Sequence, residues 1–453
     1  MDNRKPALLV TTLGSALIPF MGSSVIIALP SIGKEFEMDT VLLGWVTTSF
    51  LLSLAMFLVP SGRIADIYGR KKIFLCGFVI YTLSSFFCAV APSALFLIFS
   101  RVLTGIGASM TFSTGVAILT SIYPPGERGR AIGINVGAVY SGLSCGPFFG
   151  GLLTQEFGWR TVFFVNIPLG LFIILFTVWK LKGEWTEARG EKFDIPGSML
   201  FGFSLVAVMY GLSVLPGIKG ISFVLVGVCG ILIFVKWESK TLSPIFHLDL
   251  LRTNKVFALS NLAALINYSA TFGVSFLMSL YLQLMKGLKP QEAGLILISQ
   301  PIVQAIFSPL AGRLSDRIEP RIVASTGMGL TALGLFLFTF LNQGTPVPFI
   351  IVTLALLGFG FALFSSPNTN AVMSSVDKKY YGIASGIVNT MRAIGMMFSM
   401  GIVMILFTIY IGRVQITPHS YPLFLKSLKT AFAIFTTLCV AGLFASLSRG
   451  RMR

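Results

Sequence analysis

Fourteen apolar stretches, each close to the length of a membrane-crossing helix, constrain this chain more than any other feature of its sequence. They fall at 8–30, 41–61, 73–91, 94–122, 131–154, 161–179, 195–215, 221–236, 256–285, 292–312, 322–341, 348–370, 381–410 and 429–448. A helix needs about 20 residues to cross the hydrocarbon of a bilayer, and most of these stretches meet that length. The shortest, 221–236, is expected to tilt or to extend through Lys236 and Trp237. Only 11% of the 453 residues are charged, against 55% hydrophobic, whereas a soluble domain carries roughly 25% charged residues. Lipid is the solvent that suits such a chain, and an all-α membrane protein follows, because a helix satisfies its own backbone hydrogen bonds.

An even number of crossings puts both termini on one side. Of the 34 Lys and Arg residues, 24 fall on that side, 8 on the other, and 2 (Arg101 and Arg392) inside spans. Basic residues in short loops accumulate on the cytoplasmic face, so both termini are expected in the cytoplasm of a cell-membrane protein. The net charge of +17 is therefore topogenic. Nucleic acid is not an expected partner, because no basic stripe with interleaved aromatics occurs.

Other chemistry is equally constrained. The five cysteines (Cys76, Cys88, Cys145, Cys229, Cys439) lie within apolar runs without metal-ligand spacing, and a buried Cys commonly acts as a small hydrophobe. The two histidines, His247 and His419, lie in loops on opposite sides, so they build no catalytic cluster at depth. No Gly-x-x-x-x-Gly-Lys-Ser/Thr phosphate loop is present. Neither an enzyme nor an ATP-driven pump is expected, and no cofactor or metal.

Internal repetition sets the organisation. The loop after the second span reads Gly62-Arg63-Ile64-Ala65-Asp66-Ile67-Tyr68-Gly69-Arg70-Lys71-Lys72; after the tenth, Gly312-Arg313-Leu314-Ser315-Asp316-Arg317 repeats Gly, Arg and Asp at the same offsets. Two halves with the same loop on the same face indicate a parallel repeat. The expected domains are an N-terminal six-helix bundle (1–190), two inserted spans with linkers (191–255) and a C-terminal six-helix bundle (256–453).

These motifs carry a family resemblance. Gly62-x-x-x-Asp66-x-x-Gly69-Arg70-Lys71 resembles the cytoplasmic signature loop of the major facilitator superfamily. Arg101-x-x-x-Gly105-x-Gly107-Ala108 resembles its second motif, with Thr104 where a Gln is common. Gly142-x-x-x-Gly146-Pro147-x-x-Gly150-Gly151 resembles its antiporter motif, and Gly158-Trp159-Arg160 through Pro168-Leu169-Gly170 is similar to the sixth span of the fourteen-span drug:proton antiporters. In the C-terminal half the support is the span count, the weak loop copy and Asp377-Lys378-Lys379. The resemblance implies secondary transport by alternating access, with the signature loop as a latch and the antiporter motif as a moving gasket.

Each motif also has a plainer reading. The loop could serve topology alone, although Asp66 is suited to face a helix N-terminus or a neighbouring Arg. Gly142, Gly146 and Gly150 share one helix face, which is also what close packing requires, and Pro147 bends the span. A cation within a span is costly and marks function by default, so Arg101 is a candidate for proton coupling or substrate contact, with snorkelling as the alternative. Arg392, nearer mid-span, is a candidate for the wall of a cavity. Tyr140, Asn267, Gln300, Gln304 and Asn389 are further cavity candidates; for Gln300, Gln304 and Ser308, which share a face, hydrogen bonding between helices is the alternative.

One departure from the family stands out. The first span reads Phe20-Met21-Gly22-Ser23-Ser24-Val25-Ile26-Ile27-Ala28-Leu29-Pro30, with Met21 where many members carry an acid. All 17 acidic residues lie in loops or at span ends, leaving Glu35, Asp39 or Asp66 as substitutes for a proton carrier. The expected activity is efflux of small amphipathic or hydrophobic compounds by proton antiport, from a monomer with no partner beyond substrate, coupling ion and lipid. Export of a specific metabolite or lipid with different coupling, and a sensor that no longer transports, are the alternatives.

Overall fold

A computed structural model of the chain describes residues 3–241, 244–246, 248–377 and 381–450, excluding the side chains of residues 125, 126 and 316. His247, Lys378, Lys379, Arg451, Arg453 and the side chain of Asp316 lie outside the described residues. Fourteen helices in it are long and apolar enough to cross a membrane. They are α1 (Arg4–Glu35), α2 (Thr40–Tyr68), α3 (Arg70–Ala89), α4 (Ala94–Ile122), α5 (Glu127–Phe157), α6 (Thr161–Lys180) and α7 (Ile195–Val214). Then follow α8 (Ile218–Glu238), α9 (Lys255–Met285), α10 (Pro290–Ser315), α11 (Pro320–Phe338), α12 (Val347–Ser374), α13 (Tyr381–Tyr410) and α14 (Pro418–Leu447).

Local chemistry sets the helix ends. Asp39 caps α2, its carboxylate accepting from the amides of Val41 at 2.8 Å and Leu42 at 2.7 Å, so free N–H groups at the helix start find a partner. Gly69, at φ +122°, breaks α2 from α3 in a conformation that disfavours any side chain. Several boundaries differ from the sequence reading: α2 runs on to Tyr68, so Gly62 to Tyr68, read as loop, is helical, and α10 likewise runs past 312. α8 extends through Lys236 and Trp237 as expected, to 21 residues, enough to cross. α14 begins at Pro418 rather than 429, so Lys426 and Lys429 ride on the helix instead of in a loop; the Lys426 ammonium sits 5.3 Å from the centre of the Tyr410 ring.

One packing scheme occurs twice. α1 packs on α5, α2 and α3 on α4, and α3 on α6; correspondingly α9 packs on α13, α10 and α11 on α12, and α11 on α14. The two sets meet along two seams, α2 with α13 and α5 with α10. α7 and α8 form a tight pair through Gly211, Gly220 and Gly227, where an added Cβ would lie 2.7–2.9 Å from the facing backbone. α7 leans on the α2/α13 seam, with Gly202 against Met56 and Gly401 against Leu212. The α5/α10 seam has no such cover.

Candidate functional site: the cleft between the bundles

Close contacts join the two bundles toward the end of the molecule away from the termini, apart from a mid-depth bridge between Tyr140 and Ser365. Thr40 donates to the Gly412 carbonyl at 2.8 Å, Ser279 to the Ile26 carbonyl at 2.8 Å, and Gln283 to the Ile27 carbonyl at 2.9 Å. On the second seam, a Cβ on Gly151 would come within 2.5 Å of the Pro290 carbonyl oxygen, and one on Gly294 would overlap the Pro147 carbonyl oxygen. Gly151, Pro147, Tyr140, Gly137 and Gly133 lie on one face of α5. The first two touch α10, whereas Gly137 and Gly133 have no neighbour within 4 Å of an added Cβ. Gly382 and Gly386 of α13 are equally free. The molecule is thus closed at the far end and open at the end carrying the termini.

At mid-depth the Tyr140 hydroxyl meets the Ser365 hydroxyl at 3.4 Å, joining α5 to α12 across the cleft. Beside this bridge stands Arg392 on α13. Its guanidinium donates to Thr369 Oγ1 at 2.5 Å and to Asn389 Oδ1 at 3.3 Å, while its Nε is buried without a partner. The Tyr268 ring lies 5.6 Å from that guanidinium and meets Phe361 edge to face at 5.2 Å. Tyr268 is also near enough to Tyr140 and Ser365 to interact with both. The wall thus combines one cation, neutral hydrogen-bonding groups and aromatic rings.

Of the predicted cavity residues, Tyr140 and Asn389 belong to this wall. Asn267 is fully buried with neither polar atom of its amide paired, and Tyr268, one residue on, faces Arg392 instead. Gln304 and Ser308 are buried, with Ser308 donating to the Gln304 carbonyl at 2.7 Å. The Gln300 backbone backs onto Gly358 of α12. Sequence reasoning missed Tyr268, Ser365 and Thr369. Their signal is weak, since Ser, Thr and Tyr are common on buried helix faces.

Arg101 is elsewhere. It is 1% exposed inside the first bundle, so it does not snorkel. It donates to the Val46 carbonyl at 3.2 Å and lies over the Phe50 ring at 4.5 Å, and its Nη1 has no partner. Met21 fills the acid's position with its sulfur 3.5 Å from the Tyr81 hydroxyl, which also donates to Asn166 Oδ1 at 3.3 Å. The three acids at span ends are all engaged. Glu35 pairs with Arg160 at 2.6 Å and accepts from the Trp159 indole, Asp39 caps α2, and Asp66 pairs with Arg70 at 2.8 Å.

The signature loop binds the linker that follows α6. Arg70 pairs with Asp66 and with Glu187, both at 2.8 Å, and donates to Ser121 at 2.6 Å. The Asp66 carbonyl accepts from the amides of Glu187 and Ala188. Glu184 accepts from the Lys71 amide at 2.7 Å, Lys71 Nζ reaches the Leu181 carbonyl, and Arg63 pairs with Glu191. Gly69 leaves room for the Glu184 carboxylate. Gly62 faces Ser113 of α4. The acids Glu184, Glu187 and Glu191 opposite a basic loop were a legible signal that sequence reasoning passed over.

The antiporter motif divides by face. Gly142 and Gly146 abut the Ala16 and Phe20 carbonyls of α1, and Gly150 abuts Ser24, all within one bundle; Ser24 donates to the Gly146 carbonyl at 2.9 Å. Pro147 and Gly151 face α10 across the seam. One further buried cation, Arg449, anchors the end of α14 through Ser260, Asn368 and Ser446. Burial there, with Arg321 adding repulsion, pushes its pKa down to about 10.

The family model described as Major Facilitator Superfamily matches residues 11–400 and 260–451. The riboflavin transporter RibZ of Clostridioides difficile (strain 630) is 28% identical over 86% of this chain and 86% of its own length. The multidrug resistance protein Stp of Mycobacterium tuberculosis (strain CDC 1551 / Oshkosh) is 32% identical over 86% of this chain and 73% of its own. The tetracenomycin C resistance and export protein of Streptomyces glaucescens is 27% identical over the same shares. Among solved structures, a bacterial homolog of the human lysosomal transporter Spinster, crystallised inward-facing and unoccupied, has a TM-score of 0.68 at 19% identity, covering 99% of this chain and 97% of that one.

Proposed function

Because the chain belongs to the major facilitator superfamily and is therefore a multi-pass secondary transporter of small molecules, we propose that it expels amphipathic or hydrophobic compounds from the cell. The observation that carries this reading is the cleft. It is closed at the far end, open at the other, and walled at mid-depth by Tyr140, Tyr268, Ser365 and Arg392 from both bundles. Residues 1–190 and 256–453 act as the two rocking units, and 191–255 as a brace on one seam. The excess of basic residues on the face carrying the termini supports a cytoplasmic position for that face in a plasma-membrane protein, in which case the open cleft faces inward. The protein works as a monomer.

Coupling to protons is the family's usual means, and two relatives bear names of resistance or export proteins. Here a proton would have to use a carboxylate outside the mid-membrane, since Met21 stands at the acid's position and Glu35, Asp39 and Asp66 are engaged in the present conformation. Proteoliposomes loaded with a lipophilic dye test the reading: flux is expected under an imposed pH gradient. Absence of flux under proton, sodium and electrical gradients alike would favour a sensor.

A further inference from the structure

Two guanidinium groups lie deep in the spans, away from the helix ends, and they differ in access. Arg101 is sealed inside the first bundle, whereas Arg392 is only partly buried, beside the open cleft. The ion pairs Arg4–Glu127, Arg63–Glu191, Arg70–Asp66, Arg70–Glu187 and Arg160–Glu35 all sit at helix ends. Among the described residues, no carboxylate pairs with Arg392. Its partners are the neutral oxygens of Thr369 and Asn389, the second at a long 3.3 Å, and its buried Nε has none.

We propose that Arg392 is the recognition point for a substrate carboxylate, and that the transported compounds are aromatic organic anions. The inference rests on the transport reading above and narrows its substrate class. A guanidinium presents five donors in a planar fork that matches a carboxylate. A partly buried cation that lines a cleft without a counter-charge is a favourable point for an incoming anion. The same field repels a cationic compound, and among the described residues no acid in the cleft wall compensates. The rings supply the remainder of the site. Tyr268 lies under the guanidinium, Phe361 supports Tyr268 edge to face, and Tyr140 stands opposite on the other bundle. A planar ring bearing a carboxylate thus finds both its charge and its apolar face matched. The substrate's own charge also gives the membrane potential a handle, so export does not require the acid that Met21 replaces.

The test uses purified full-length protein and three dyes of one coumarin ring system, carrying a carboxylate, a primary amide or a quaternary ammonium. The carboxylate is expected to bind about tenfold or more tightly than the amide, as one charge-assisted hydrogen-bonded pair implies, and the ammonium least. Arg392→Gln is expected to remove the advantage of the carboxylate over the amide, and Arg392→Lys to restore part of it. Equal binding of the three dyes by the unaltered protein, or preference for the ammonium, overturns the proposal without recourse to any variant. So does a well-folded Arg392→Gln protein that keeps the preference. The same dyes in proteoliposomes separate this idea from the one beneath it. Binding of the carboxylate without flux under any gradient supports the anion site and defeats the transport reading. Flux of all three dyes with no carboxylate preference defeats the site and leaves transport standing.

Discussion

Gly294 of α10 faces Pro147 of α5 so closely that a methyl group on Gly294 would overlap the Pro147 carbonyl oxygen. This contact and its neighbour, Gly151 against Pro290, hold one seam shut at the far end of the cleft. Helices without bulky side chains at a crossing can bring their backbones together and, by the same token, separate without leaving an apolar socket open.

Gly294→Val is therefore expected to prop the far end apart. Overpacking of this kind costs about 1–3 kcal/mol, enough to shift a two-state equilibrium without unfolding the protein. Transport should fall while membrane level holds, and cysteines placed at far-end positions should become more reactive to a water-soluble maleimide. Unchanged labelling would argue against a seam that opens there.

Asp66→Asn should impair transport with normal insertion, because it removes the carboxylate that pairs with Arg70 while leaving the main-chain bonds to the linker that follows α6 intact. Glu187→Gln should matter less for stability. Its carboxylate is exposed, and such pairs are worth roughly 0–1 kcal/mol. Comparing flux and melting temperature for the two variants separates a moving latch from a static strap; full activity of Asp66→Asn would discredit the latch.

Arg101 yields the opposite sign from a paired cation. Breaking a buried ion pair leaves the partner charge stranded, but Arg101 has only the Val46 carbonyl and the Phe50 ring. Arg101→Met leaves no orphaned carboxylate and removes a buried charge. Its melting temperature in detergent should equal or exceed that of the parent. A clear fall in melting temperature would reveal a counter-charge supplied in another state.

If the substrate carries a negative charge, the membrane potential should drive its export. One charge is worth about 2.3 kcal/mol per 100 mV, or roughly a 50-fold concentration ratio. Potassium–valinomycin clamping of proteoliposomes loaded with the carboxylate dye should show this dependence at equal pH on both sides. Flux indifferent to potential but proportional to the pH difference would point to electroneutral exchange with protons.

Topology has its own check. Cysteines introduced at Arg4 and Gly450 should both be labelled only from the cytoplasmic side. Labelling of the two from opposite sides would undo the even span count in a membrane.

Much of the fold was legible because a bilayer imposes its demands along the chain. Each crossing must be a long apolar helix that closes its own hydrogen bonds, and the fourteen apolar stretches announce themselves accordingly, whereas the cap at Asp39 and the break at Gly69 show only in the structure. The seam residue Gly151 and the α1-facing glycines 142, 146 and 150 were legible as one motif, but not as two faces with different neighbours. Asn267, expected in the cavity, is buried with its amide unpaired, while its neighbour Tyr268, about 100° around the helix, lies beside Arg392.

The sequence alone determined that the chain lives in lipid, how many times it crosses, that its halves repeat, and that no acid stands at mid-membrane. Only the tertiary structure decided which end of the cleft is closed, that Arg392 rather than Arg101 lies beside it, and that the basic loop is held by Glu184, Glu187 and Glu191. The reason is the solvent. Lipid tails are as apolar as a packed interior, so Phe201, which is buried, and Phe203, which is exposed, read alike in the sequence. The direction each helix faces is set by close packing between backbones, which no hydrophobic pattern records.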